Sequence, residues 1–279
     1  MPDCSLSDTS TATPAWQASL HLGFTRTGDA TRLVRREHRG PLRVQKALYP
    51  EGPDACHVIV VHPPGGVVGG DRLDVGIDAD VACHVLATSP GAAKWYRANG
   101  RISRQTVRLR AGEGAAIEWL PQETIFYDDA HVDLDHEVEL APGARYLGSE
   151  VLVFGRRASG ERFASGRVRQ RTRIRENGRL LWCEQGILAP AGIASPFGLG
   201  GHAVCATFLA VGAPVPAAVQ AGLRAADPLL ALSQVKSVFV ARHLGDDGEA
   251  ARAAMLRVWQ ALRPHYLGRP ACMPRIWNT

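Results

Sequence analysis

The pattern of apolar and polar positions changes character near residue 214. Before that point, short runs with period two dominate. Segments 103–110 and 132–140 alternate polar and apolar residues, as a strand with one buried face does. The pattern continues through 146–154 and 166–175, and Asn177-Gly178 then signals a hairpin into 180–188. Cys56-His-Val-Ile-Val-Val-His62 is instead a short apolar run that halts at Pro63-Pro64-Gly65-Gly66, as a buried strand does before a turn. Gly112-Glu113-Gly114 and Pro142-Gly143 separate further runs in the manner of turns.

Beyond 214, an Ala-rich stretch over 216–225 predicts a helix that ends before Asp227-Pro228, and 235–244 predicts a late strand. Asp246-Asp247 offers an N-cap to a second helix that runs to Arg263, where Pro264 stops it. Ala251, Met255, Val258, Trp259 and Leu262 recur at helical spacing and form one apolar stripe for core packing. No fixed-period repeat or low-complexity linker interrupts the chain. The expected architecture is mainly β, a single domain over 16–279 with two α-helices toward the C-terminus. The Ser-, Thr- and Asp-rich segment 1–15 reads as a disordered lead-in, not a secretory signal.

Composition narrows the function classes. With 279 residues, 46% of them hydrophobic, the chain can bury a sizeable core. No stretch approaches the roughly 18 uninterrupted apolar residues of a membrane span. Six cysteines stand at 4, 56, 83, 183, 205 and 272 without a Cys-x-x-Cys pair. That spacing excludes a zinc knuckle and reads as buried, reduced thiols in a cytoplasmic protein. A net charge of +5 mildly favours an acidic partner.

The most distinctive segment is His62-Pro-Pro-Gly-Gly-Val-Val-Gly-Gly-Asp71. It lacks the Gly-Lys-Ser/Thr ending of a phosphate loop, and a strand-like run follows where a dinucleotide fingerprint would open a helix. A rigid turn between strands explains its glycines equally well. Thr88-Ser-Pro-Gly-Ala-Ala-Lys-Trp-Tyr-Arg97 and Glu118-Trp-Leu-Pro-Gln-Glu-Thr-Ile-Phe126 carry no catalytic spacing. Lys94 reads as a surface charge. His57, His62 and His84 lie near strand ends at no metal-ligand spacing, so no closed zinc or nickel site is visible.

These segments together resemble the urease accessory protein D family (UreD, UreH in some organisms). The resemblance begins at Trp16-Gln-Ala and takes in 40–51, Cys56-His57 and the 62–71 loop. It continues through 88–97, 118–126, Phe154-Gly-Arg156 with Gly160-Glu161, and the tail from Trp259 through Arg263-Pro264 to Trp277. It implies a β-helix-like stack of strands with two helices toward the C-terminus. It further implies a non-enzymatic chaperone with no tightly bound cofactor, through which nickel passes transiently to the urease apoprotein. Accessory protein F is the implied direct partner, and F recruits accessory protein G, from which any GTP hydrolysis is expected.

A protein that passes a metal onward should hold it weakly, with scattered carboxylates rather than a closed His/Cys cage. The candidates are acids placed where the β pattern expects burial: Asp71, Glu150 and Glu184. The alternative for each is a salt bridge to a nearby Lys or Arg. Arg167, Arg169, Arg171, Arg173 and Arg175 alternate along one strand and share a face. That stripe is either a solvated edge that blocks aggregation or a docking surface for an acidic partner. A metalloenzyme is disfavoured by the missing ligand spacing. A nucleic-acid-binding sheet is disfavoured because 166–175 interleaves no aromatic residue with the arginines.

Overall fold

The computed structural model describes residues 15–278, so nearly all of the expected lead-in lies outside the described residues. The chain opens with a hairpin, Gln17–Thr27 and Ala30–Arg39, and then shuttles between two sheets. Strands Ala55–Val61, His84–Thr88, Ala116–Leu120 and Arg145–Phe154 join one sheet. Strands Arg72–Ala79, Ser103–Ala111, His131–Leu140 and Arg167–Glu176 join the other. Each coil thus adds one strand to each sheet, parallel to the strand laid down one coil earlier. This is a β-solenoid, the helical stack of strands that the resemblance implies.

The coils are unequal, which is why the sequence shows no period. Arg72 stands beside Arg104, Arg104 beside Asp133 and Asp133 beside Arg169, steps of 32, 29 and 36 residues. What repeats is a backbone geometry at the corner leaving the seven-stranded outer sheet. Ala82, Gly114 and Gly143 each adopt the left-handed conformation there. Amides link successive corners: Ala82 N–H donates to the Glu113 carbonyl, and Gly114 N–H to the Pro142 carbonyl.

The outer sheet is amphipathic. Leu20, Leu22, Val75, Ile77, Val107, Leu109, Val138 and Ile174 point inward, against Val58, Val85, Ile117, Leu152 and Leu209 of the ten-stranded central sheet. The central sheet is covered on its other side too, so Ala116–Leu120 is buried at every position. A strand buried on both faces has no reason to alternate. The covering layer is the helix Gly248–Leu267, whose Met255, Val258, Trp259 and Leu262 pack on Leu86, Leu120, Leu147 and Phe208.

The solenoid closes with antiparallel strands. Asn177 and Gly178 both have positive φ and turn Arg167–Glu176 into Arg179–Leu188, as their dipeptide signals. The expected single strand over 235–244 is instead a hairpin, Leu230–Val235 and Val238–Gly245, turning at Lys236 in the left-handed region. Helix Ala217–Ala226 falls where expected, and a five-residue helix, Pro190–Ala194, is added. Asp247 caps the long helix by accepting from the Glu249 and Ala250 amides. That helix does not stop at Pro264; it runs to Leu267 and ends at the left-handed Gly268. Pro264 and Gln260, whose carbonyl would have received the missing N–H, both face solvent, so water can take that bond. Cys56 and Cys83 are buried free thiols, but Cys183 is exposed, contrary to expectation, because it lies on the outward face of the terminal strand.

One buried ion cluster fastens helix to sheet. Arg263 is fully buried and donates to both oxygens of Glu118 and both oxygens of Glu51. Trp259 Nε1 donates to Glu118 at 2.6 Å, and His84 and His57 complete the carboxylates of Glu118 and Glu51. Burial pushes the Glu51 carboxyl up, but the hydrogen bonds from His57 and Arg263 outweigh it and bring the group down to about 2. Two predictions follow from this geometry. Arg263→Met leaves two buried carboxylates without their cation and should cost about 3–5 kcal/mol in urea unfolding, against under about 1 kcal/mol if the cluster is incidental. In the interval between 2 and 4.5 the unfolded chain binds the Glu51 proton and the folded one does not, so stability should fall as pH drops through it. Denaturation midpoints across that interval should fall less steeply in Glu51→Gln than in the wild type.

Candidate functional site: a polar cavity between the sheets

The two sheets do not meet everywhere. A cavity of about 280 Å³ separates them, walled by Val60, Val75, Val107, Trp119, Leu134 and Leu209 among apolar residues. Into this apolar frame project Glu150, Glu184, Gln170, His136 and Tyr146. Its lining reaches the surface at Gly65, Pro90, Gly91 and Lys94.

Cross-strand register places the polar groups. On the central sheet Glu150 stands beside Thr207, and Thr207 beside Arg242. On the outer sheet His136 stands beside Thr172, and Thr172 beside Glu184. The two rows face each other across the gap. Gln170 donates to Glu150, Arg242 donates to Glu184 at 2.6 Å, and Tyr146 Oη lies 3.0 Å from His136 Nε2.

The free surface of Glu150 faces the cavity rather than bulk solvent, and this burial pushes its carboxyl up to about 7. The charge of Glu184 adds to the rise, while Gln170 and Arg242 act against it. Burial depresses His136 to about 4, so its ring is neutral at physiological pH. Burial, with Glu150 adding, pushes the Cys205 thiol up to about 12, so it is a neutral thiol at physiological pH. The carboxyl oxygens of Glu150 and Glu184 are therefore the hard donors that this cavity offers, and near neutral pH Glu150 is only partly ionised. Among the described residues, no three His, Cys, Asp or Glu side chains gather closely enough to hold a metal ion.

Glu150 and Glu184 are thus brought together, but Asp71 stands apart. It is buried at the end of the 62–71 loop, and its two oxygens accept from the backbone amides of Trp16, at 2.8 Å, and Val68, at 3.1 Å. Asp71 holds the loop shut. A Cβ on Gly66 would lie 2.2 Å from the Tyr96 ring, and one on Gly69 would lie 1.9 Å from the Ala98 carbonyl oxygen. These glycines permit close packing on 96–98, the turn reading of the motif. His62, at the cavity rim, is depressed by burial, and the Asp71 charge only partly offsets this.

The five arginines do share the outer face, but their strand is internal to the sheet, so the edge-guard reading fails. They are paired with acids on the neighbouring parallel strand: Arg169 with Asp133 at 3.0 Å, Arg171 with Asp135 at 2.6 Å, Arg173 with Glu137, and Arg175 with Glu139 at 3.4 Å. Arg167 also reaches Asp133, at 3.5 Å. Farther across the sheet, Arg104 meets Asp133 and Arg110 meets Asp78. The stripe is the outer column of a ladder of alternating charge. Its acidic half was visible in the sequence as Asp133, Asp135, Glu137 and Glu139, but only the 36-residue coil sets the two halves in register.

A β-solenoid with a polar gap and an acid pair between its two sheets defines a class of protein with an internal compartment. Sequence relationships then say which one. The family model described as UreD urease accessory protein matches residues 17–278. The urease accessory protein UreD of Janthinobacterium sp. (strain Marseille) is 53% identical, with 94% of this chain and 92% of that protein covered. Its counterpart in Nitrosospira multiformis is 47% identical, with 94% and 98% covered, and that of Pseudomonas fluorescens 47%, with 96% of each covered. The chain belongs to the urease accessory protein UreD family.

The ladder makes a checkable prediction. Arg171→Glu sets like charges opposite each other and should lower unfolding stability by about 1 kcal/mol. Adding Asp135→Arg should restore at least half of the loss. Equal destabilisation by the single and double variants would show that the pairs contribute nothing.

Proposed function

We propose that this protein is a non-enzymatic scaffold through which nickel passes to the urease apoprotein, the cavity between the sheets forming part of the route. It works in the cytoplasm with accessory protein F and, through F, with the GTPase accessory protein G. The observation that carries the reading is the facing of Glu150 and Glu184 across a cavity in a urease accessory protein. Two carboxylates supply the hard oxygen that a hydrated divalent ion accepts, and their small number keeps the ion exchangeable. Large apolar side chains left in solvent, Phe197, Ile187 and Leu180 among them, are what a protein that works inside a complex presents. The arginine stripe enters as part of the scaffold. A docking role for it would show as urease capture that weakens with salt and with Arg169→Glu and Arg171→Glu together.

The test is nickel loading. Deleting the gene should leave urease expressed but without nickel and without activity, and normal activity in the deletion strain would overturn the proposal. Glu150→Ala and Glu184→Ala should each lower the nickel content of urease several-fold while the complex with accessory protein F still assembles. Asp71→Ala should also lower loading, but together with thermal stability, because it releases the loop rather than removing a ligand. Full nickel content with both cavity variants would move the route elsewhere.

A further inference from the structure

Two of the protein's Arg–Glu pairings differ sharply in kind. Arg263 is wholly buried and is held through its Nε and both terminal nitrogens by Glu118 and Glu51, with the Pro270 carbonyl as a further acceptor. Arg242 makes one short bond to Glu184, at 2.6 Å, and 43% of its side chain is exposed. With the guanidinium nearly half exposed and held by one bond, the pair is worth roughly 0.2–1 kcal/mol, little enough for the guanidinium to swing into solvent.

Position gives the weak pairing its significance. Arg242 belongs to the central sheet, two strands from Glu150 along a single row, yet its bond crosses to Glu184 of the outer sheet. It pairs with Glu184, and its charge also acts on Glu150. Gln170, a neutral donor, occupies Glu150. A divalent ion in this gap therefore competes for Glu184 with a cation that the protein itself supplies.

We propose that Arg242 is a displaceable counter-ion: it holds Glu184 while the cavity is empty, yields it to an incoming divalent cation, and so sets how weakly that cation is held. This rests on the reading that the cavity carries nickel. A guanidinium in place balances the charge of Glu184 between cargoes. When it returns, it pushes the cargo out by charge repulsion, without any second closed ligand set. Arg242 acts here as a positioning residue, through the carboxylates.

Calorimetric titration of the full-length protein with nickel chloride tests this, on wild type, Arg242→Gln, Arg242→Lys, Glu184→Gln and Glu150→Gln. Arg242→Gln should bind nickel up to about fivefold more tightly, because the competing cation has gone, and should deliver less of it to urease. Arg242→Lys should restore affinity to near the wild-type value. Tightening also separates this role from a structural one, since a damaged site would bind less. If Arg242→Gln binds equally or more weakly while the two Glu→Gln variants lose affinity, the counter-ion is overturned and the cavity route stands. If neither Glu→Gln variant changes nickel affinity, the cavity route itself fails.

Discussion

The contact on which the rest of the structure depends is the buried guanidinium of Arg263, shared between Glu118 of the central sheet and Glu51 of the loop before it. A parallel sheet needs cover on both faces. The outer sheet provides one cover by solenoid winding. The other comes from a helix far later in the chain, with Arg263 lying 145 residues beyond Glu118. Apolar packing of Trp259, Val258 and Leu262 supplies the attraction, but it is not directional. The fork of Arg263 fixes helix rotation and depth, because any other seating leaves a buried carboxylate unpaired. Burial alone pushes Glu118 up; the His84 hydrogen bond and charge, with those of Arg263, hold it below its ordinary value and keep it ionised for that role.

With the central sheet held in this way, the cavity follows from register. Pairing sets residues of neighbouring strands side by side, within the solenoid and in the antiparallel strands that close it, so one polar position per strand becomes a polar row. His136, Thr172 and Glu184 make such a row on the outer sheet, and Glu150, Thr207 and Arg242 make its counterpart. The same principle, applied on the outward face, makes the ladder of arginines and acids. Inside, burial raises Glu150 and depresses His136; outside, solvent leaves the ladder pairs weak.

Much of the fold was legible in local pattern. The alternation at 103–110 and 132–140, the Asn177-Gly178 turn and the Asp247 cap all read correctly, because each depends on neighbours in sequence. Strand partners did not, because solenoid neighbours lie about 30 residues apart at unequal intervals, and the mainly β reading acquired its stacking only from the family resemblance. Of the candidate acids, Glu150 and Glu184 do share a cavity, whereas Asp71 is an acid buried for the sake of a loop. Burial alone cannot tell those roles apart. Glu118 and Arg263 were visible as lone charges in an apolar strand and an apolar helix stripe, yet only the folded distance makes them a pair. Gln170 and Arg242 carried no signal, since their importance lies wholly in what they face.

The central claim, that the acid pair in the cavity meets nickel, is tested most directly by anomalous X-ray scattering at the nickel edge from crystals equilibrated with a nickel salt. The account predicts an anomalous peak between the sheets, within coordination distance of a Glu150 or Glu184 oxygen, that disappears in Glu184→Gln. Nickel found only on surface histidines, with the cavity empty at saturating metal, would contradict it.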